Sequence, residues 1–285
     1  MPSPAAMNAQ TPDIRLIAVD LDKTLLDESL GVPARNRAAL AAAAAQGVTV
    51  AIATGRIHDS AARYARQLGL DAPIISYNGA MVRRLDAAEP MRHVRLPADL
   101  AAEIVELLVH RMIDFMYFLD GQLYVPRMDH WAYGYRARTG DQPCVAGDLR
   151  RFAGADPTKL LLLGTPQQTR ERYDFFSAHY GDRIYCTISL PEYMEILHPC
   201  ATKAEALRWL AAHLGIDMAQ TMAIGDSLND LEMVQAAGVG VFMPDADEEL
   251  RAQADFVPSE RRTGVAEAVE TLVLGGRAAR HSGGE

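Results

Sequence analysis

The residues of this chain that can do chemistry stand where apolar runs break off. Ile14 to Val19 is an almost unbroken apolar run with a β-branched centre, as a strand buried on both faces of a parallel sheet requires, and it ends abruptly in Asp20-Leu21-Asp22. Charges at the rim of a core are costly unless a cation or hydrogen-bond donors compensate them. The pair therefore implies a divalent metal, a reaction that uses a carboxylate, or both; the plainer alternative is a turn capped by Asp20 with Asp22 solvated. A second apolar run, Val48 to Ala53, stops at Thr54-Gly55-Arg56. A hydroxyl followed by backbone amides that open a helix makes an anion-binding corner, or else Thr54 is an ordinary N-cap. A short run from Pro73 to Ser76 leads into Tyr77-Asn78-Gly79-Ala80, where Asn-Gly is a strong turn signal and Asn78 either occupies a left-handed turn or points its amide into the same crevice. Thr221 to Ile224 then runs into Gly225-Asp226-Ser227-Leu228-Asn229-Asp230. Lys203 precedes a helix, Ala204 to Leu214, closed by Gly215; taken alone it reads as a solvated lysine.

These groups need elements that bring them together. Arg35 to Gln46, filled by the alanines of Ala38 to Ala45 and closed by Gly47, reads as a helix between the first two strands. A right-handed crossover makes those strands parallel and places Asp20 and Thr54 at one edge, where open α/β sheets bind ligands. Thr221 to Ile224, Gly238 to Phe242 and Asp255 to Val257 read as further strands, with helices near Glu248 to Ala254 and at Val265 to Leu274. Between Asp86 and His198 the pattern changes. A helix, Pro97 to Met112, precedes strands Asp114 to Leu119 and Gln122 to Val125 around Asp120-Gly121, a hairpin. A helix near Asp129 to Arg138, a strand Thr158 to Leu163, a helix Pro166 to Tyr180 and strands near Ile184 to Ser189 and Tyr193 to Leu197 follow. Hairpins mixed with helices indicate a separate α+β module. The expected fold class is α/β, a Rossmann-like parallel-sheet core formed by residues 13–85 and 199–274 with an inserted α+β cap at 86–198, and with flexible tails at 1–12 and 275–285.

Composition narrows the function. A chain of 285 residues, 49% hydrophobic and 23% charged, is ordinary for a globular protein with one large or two medium domains. A formal charge of -9 and a pI near 5.4 argue against nucleic acid or an anionic membrane as partner. No stretch reaches the roughly 18 to 20 apolar residues that span a bilayer, and no cationic segment followed by an apolar one opens the chain, so a cytoplasmic protein is expected. Cys144, Cys186 and Cys200 are odd in number and stand in no ligand spacing, and read as reduced thiols. His58, His198 and His213 are also single, and read as structural or solvated. Tyr117, Tyr124, Tyr133, Tyr135 and Trp131 read as cap core rather than a base-stacking surface. There is no heptad seam, and a monomer or homodimer is expected.

Strand ends bearing acids and hydroxyls, with a lysine, form a coherent set for a phosphate ester. A divalent cation, a lysine, a threonine hydroxyl and backbone amides would bind it, an aspartate would attack phosphorus, and a second carboxyl group would protonate the leaving alcohol. Magnesium suits carboxylate oxygens such as those of Asp20 and Asp226. At this point the sequence resembles a known family. Asp20-Leu21-Asp22-Lys23-Thr24, Thr54-Gly55-Arg56, Lys203 and Gly225-Asp226-Ser227-Leu228-Asn229-Asp230 look like the four motifs of the haloacid dehalogenase superfamily. The Ser-Tyr-Asn-Gly-Ala stretch and the large insertion make the chain most similar to Cof-like phosphatases with a type C2 cap. The resemblance implies Asp20 as nucleophile and Asp22 as general acid and then base, with Thr54 and Lys203 on the phosphoryl oxygens. It further implies Mg2+ bound by the Asp20 carboxylate, the Asp22 backbone carbonyl and Asp226, with Asp230 supporting that shell, Asn229 touching phosphate, Leu21 and Gly55 giving backbone amides, and Asn78 facing the boundary of core and cap.

The function so implied is a Mg2+-dependent hydrolase of small phosphorylated metabolites, sugar phosphates or phosphorylated cofactors, acting through an aspartyl-phosphate. A phosphomutase using the same intermediate and a low-turnover phosphate-ester-binding protein are the alternatives. Three positions depart from the family pattern. Lys23 stands at a usual glycine, Ala204 at another, and Phe242-Met243-Pro244-Asp245 at a usual Ala-Met-Gly-Asn, where Asp245 is expected to repel a phosphate.

Overall fold

The computed structural model describes residues 13–275. The expected tails therefore lie outside the described residues, apart from Gly275. The described chain divides into two compact units: one runs through Ala53, adds Ala65–Pro73 and resumes at Leu207, and the other comprises Thr54–Tyr64 and Ile74–Ala206. In chain order the elements are β1 (Leu16–Val19), α1 (Ala34–Ala45), β2 (Thr49–Ile52), α2 (His58–Leu68), β3 (Ile74–Ser76), β4 (Met81–Arg83), β5 (Arg92–His93), α3 (Ala98–His110), β6 (Phe115–Leu119), β7 (Gln122–Val125) and α4 (His130–Thr139). They continue as β8 (Cys144–Val145), β9 (Lys159–Leu163), α5 (Pro166–Tyr180), β10 (Tyr185–Leu190), β11 (Tyr193–Leu197), α6 (Lys203–His213), β12 (Thr221–Gly225), α7 (Leu231–Ala236), β13 (Val239–Phe242), α8 (Glu248–Arg251) and α9 (Gly264–Val269). Among the described residues no helix is long and apolar enough to cross a membrane.

The first unit is built on a parallel sheet in the order β13-β12-β1-β2. Leu16 stands level with both Thr49 and Thr221, so β1, β2 and β12 end together at their carboxyl edge. Every β1 and β12 residue is buried, which accounts for their apolar runs. Asn36 clamps α1 to the last helical segment: its Nδ2 donates to the Arg262 carbonyl at 3.1 Å, and the Ala266 N–H donates to its Oδ1 at 3.0 Å. The strand expected at Asp255 to Val257 is reduced to one bridge, Phe256 to Val241. The N–H groups of Asp255 and Phe256 both converge on the Gly240 carbonyl, which leaves no alternation for a ladder to continue.

In the second unit β3, β4 and β5 form an antiparallel sheet, and a larger sheet runs β10-β11-β9-β6-β7-β8, antiparallel except between β7 and β8. The hairpin between β6 and β7 turns at Asp120 and Gly121 with φ of 48° and 78°, the paired left-handed residues of a type I′ turn. Strand alternation buries both faces of the larger sheet. Phe115, Tyr117, Leu160 and Leu162 pack under α3 and α5, whereas Met116, Phe118, Leu161 and Leu163 pack with Tyr77 and with Ala132 and Tyr135 of α4. Tyr117 and Tyr135 are thus core residues, as expected, and Tyr124 and Trp131 are half-buried against the core. Tyr133 is a correction, being 57% exposed, since two residues along a helix from Tyr135 is the opposite face.

Candidate active site

The first unit carries three acids in one place. The Asp20 N–H continues the β1 ladder by donating to the Ile224 carbonyl at 3.0 Å, so its side chain emerges at the carboxyl edge of the sheet. The chain then curls through a tight helical turn, Leu21–Leu25, closed by the Leu25 N–H on the Asp20 carbonyl. Lys23 makes that turn with φ of 59°, a left-handed conformation that glycine adopts without strain, and this accounts for the usual glycine there. The turn also brings Thr24 round to donate to Asp226 Oδ1 at 2.8 Å, while Ser227 Oγ donates to Asp226 Oδ2 at 2.6 Å. Asp226 follows the end of β12, beside Asp20 because Val19 and Ile224 are in register.

Asp230 completes the group. Its Oδ2 accepts the N–H of Asp226 at 3.1 Å and of Ser227 at 3.2 Å, which curls the loop back on itself. Gly225 makes that fold possible, because a Cβ there would lie 2.6 Å from Asp230 Oδ2 and closer to its Cβ and Cγ. Asp20, Asp226 and Asp230, all buried, each present a carboxylate oxygen within 4.8 Å of the others. Two like charges at that spacing repel by about 3 kcal/mol at an effective dielectric of about 20. Three buried oxygen donors so placed fit a small divalent cation such as Mg2+. Leu21 and Asn229 are buried in the adjoining turns, and Asp22 is half-buried in the first. Asp245, expected to repel a phosphate, lies 3.2 Å from Arg261 Nε in an ion pair, which offsets its charge.

The second unit holds the remaining predicted residues. Thr54, Gly55 and Arg56 form a corner whose three carbonyls are all engaged: by the Asn78 N–H at 3.0 Å, by Lys159 Nζ at 2.8 Å and by the Tyr77 N–H at 2.9 Å respectively. The Thr54 N–H donates to Ile75 at 2.9 Å and the Arg56 N–H to Thr54 Oγ1 at 3.2 Å; the Gly55 N–H is in none of these bonds. Asn78, fully buried with φ of 54°, sits in the left-handed turn that Asn-Gly announced. Next to it Gly79 packs against the Thr202 carbonyl so closely that a Cβ would overlap it and reach Lys203 N at 2.8 Å. Thr202 caps α6 by accepting the Glu205 N–H at 3.1 Å, and so fixes Lys203 in the first turn. Lys203 is 1% exposed, which replaces the solvated reading.

Thr24 and Ser227 stood in the quoted motifs without a role of their own, and Lys159 and Arg261 make contacts that the sequence reading did not single out. Of the last two, Lys159 left a visible signal, a lone charge opening a run of four leucines.

Comparison with known proteins shows the family of the chain. The family model described as haloacid dehalogenase-like hydrolase matches residues 17–269. YxeH of Bacillus subtilis, provisionally named a phosphatase, is 32% identical over 271 residues, covering 91% of this chain and 98% of its own. A Serratia proteamaculans protein named HMP-PP phosphatase is 30% identical over 245 residues, covering 84% of this chain and 86% of its own. A solved haloacid dehalogenase-like hydrolase from B. subtilis superposes with a TM-score of 0.82 at 25% identity, over 91% of this chain and 100% of that one. With the four motifs in order, three acids gathered at the sheet edge and a match along nearly the whole described chain, this protein belongs to the haloacid dehalogenase-like hydrolase family, among its Cof-like phosphatases.

Proposed function

We propose that the protein is a Mg2+-dependent phosphomonoesterase that hydrolyses small phosphorylated metabolites through an aspartyl-phosphate on Asp20. The observation that carries this reading is the gathering of Asp20, Asp226 and Asp230 at the ends of two adjacent parallel strands. In the proposed reaction an Asp20 carboxylate oxygen attacks phosphorus, and the bond to the ester oxygen breaks. Asp22 gives its proton to the departing alkoxide, then takes one from the water that attacks the aspartyl-phosphate, releasing inorganic phosphate and restoring Asp20. Mg2+ held by Asp20, the Asp22 carbonyl, Asp226 and Asp230 would offset the charge that otherwise keeps a carboxylate from a phosphate.

Thr54, the Gly55 and Leu21 amides, Asn229 and Lys203 are assigned to the phosphoryl oxygens, and Asn78 to the shape of the corner. Residues 86–198, the inserted module, are assigned the choice of leaving alcohol. The names of relatives that act as phosphatases support a small phosphate ester as substrate, with sugar phosphates and phosphorylated cofactors as the classes to test first. The experiment is phosphate release from a panel of such esters, with Mg2+ or with a chelator, for wild type and Asp20→Asn. Release that needs the metal and disappears in the variant is expected. Equal release by both proteins would sink the assignment of Asp20, and transfer of the phosphoryl group to a second sugar in place of release would make the enzyme a mutase.

A further inference from the structure

One strand of the second unit carries a charge where its surroundings ask for none. β9 reads Lys-Leu-Leu-Leu-Leu and is buried throughout. By alternation Lys159 shares the face of Leu161 and Leu163, and its Nζ lies 4.8 Å from the Phe118 ring centroid. Glu195 of β11 stands level with Leu161, so it meets Lys159 diagonally across the strands. The two ions are 2.6 Å apart and each side chain is 2% exposed. Ser189 Oγ donates to the other Glu195 oxygen at 2.6 Å.

Such a pair is a poor stabiliser, because removing two ions from water costs several kcal/mol each and apolar residues of similar volume do as well or better. What apolar residues could not supply is the second bond of Lys159, its donation to the Gly55 carbonyl at 2.8 Å. The Gly55 carbonyl and the Arg56 N–H belong to the same peptide group. An ammonium on the oxygen draws electrons from the nitrogen and strengthens that N–H as a donor, and its acceptor is Thr54 Oγ1 at 3.2 Å. A hydroxyl that accepts on one side keeps its own proton to give on another. The sequence Lys159, Gly55–Arg56 peptide, Thr54 hydroxyl is therefore a polarised chain whose free end is a donor.

We propose that Lys159, held by Glu195, is a positioning residue for phosphoryl transfer, fixing the Gly55–Arg56 peptide and setting the Thr54 hydroxyl as a donor to a phosphoryl oxygen. The proposal rests on the phosphatase reading for what Thr54 holds. Its neighbours on this face include the aromatic side chains of Tyr77 and Phe118, 6.0 and 4.8 Å from Nζ to the ring centroids.

The test is a double-mutant cycle between Lys159→Met/Glu195→Met, which removes both buried charges together, and Thr54→Val. The readouts are thermal stability, kcat and KM on p-nitrophenyl phosphate with Mg2+, and calorimetric binding of inorganic phosphate. With the fold intact, the charge-pair variant is expected to lose about tenfold to a hundredfold in kcat/KM and a comparable factor in phosphate affinity. On the Thr54→Val background the same change is expected to cost less than about threefold, because its target is gone. Lys159→Arg, which keeps a charged donor, should recover part of the loss. If the double substitution unfolds the protein, Lys159→Gln/Glu195→Gln, which also removes both charges, replaces it in the cycle with the same expectation. An equal loss with and without the Thr54 hydroxyl, or no loss at all, would overturn the proposal. If wild type binds inorganic phosphate but hydrolyses no ester, the phosphatase reading fails while the binding cycle still decides the role of Lys159. If it binds no phosphate either, the corner is not an anion site and both fall.

Discussion

Replacing Gly225 by alanine should unseat Asp230 and loosen the loop that carries Asp226, and the size of the effect follows from the packing. A Cβ at this position would lie 2.6 Å from Asp230 Oδ2, with the Asp230 Cβ and Cγ nearer still. Ordinary contact begins near about 3.5 Å, so the carboxylate must retreat by roughly 1 Å. Asp230 is 0% exposed and has no solvent to move into. Its Oδ2 accepts the Asp226 and Ser227 N–H groups at 3.1 and 3.2 Å, already long enough that such a shift breaks at least one bond. A hydrogen bond to a charged group contributes about 1.5–3 kcal/mol, and overpacking a tight site adds about 1–3 kcal/mol. The expected loss for Gly225→Ala is thus about 3–6 kcal/mol, or a fall in Tm of roughly 6–20 °C. Because the lost bonds also aim Asp226, the stabilisation conferred by Mg2+ under the proposed reading should shrink by about 1.4 kcal/mol for each tenfold loss of affinity, and the rise in Tm with it. Thermal unfolding in a chelator and across a magnesium series reads both quantities. A variant with unchanged Tm in chelator and an unchanged magnesium midpoint would refute the packing argument.

Other expectations follow from single contacts. At Lys23, φ of 59° makes Lys23→Gly more stable than Lys23→Ala by about 1 kcal/mol, to be read from urea midpoints; equal midpoints would mean the turn relaxes freely. Asn36→Ala should cost about 2–3 kcal/mol, since it strands the Arg262 carbonyl and Ala266 N–H, whereas the exposed pair of Arg35 with Glu270 should yield less than about 1 kcal/mol when Arg35 is replaced by alanine; the reverse order in denaturant unfolding would contradict this. Burial, and then the charge of Arg95, push His93 down to about 4 from its ordinary 6.5. The folded chain then keeps His93 neutral while the unfolded chain protonates it, so this group's contribution is present above 6.5 and is lost as pH falls toward 4. His93→Gln should flatten the acid side of the stability profile, and an unchanged profile would show that His93 titrates normally.

Much of the fold was legible because its signals are local. Each strand of the first unit that ends at the site is an apolar run stopped by a polar residue, and α5 was bounded to the residue by Pro166 at its start and the glycine after Tyr180. Asn78-Gly79 and Asp120-Gly121 announced their turns by residue type. The strands that went unread, β4, β5 and β8, span two or three residues, too few to show any period. Lys203 was misjudged when taken alone because burial is a property of neighbours, here the close approach of Gly79 to Thr202 from far along the chain.

The departures at Lys23 and Asp245 show the same limit from the side of charge. In sequence they are unrelated, one an extra cation close to Asp20 and the other an extra anion in a loop. In the folded first unit both meet Arg261, whose Nε donates to the Lys23 carbonyl at 3.2 Å and lies 3.2 Å from Asp245 Oδ2. Arg261 Nη1 also stands 3.9 Å from Glu28, which follows the same turn. The aspartate thus supplies a counter-charge for an arginine that ties down a turn held in a left-handed conformation by a residue other than glycine. A strained backbone persists where its surroundings over-determine it, and Arg261 with Asp245 is part of that surrounding. The two departures therefore meet at one guanidinium, and the charge of Asp245 is weighed together with that of Arg261.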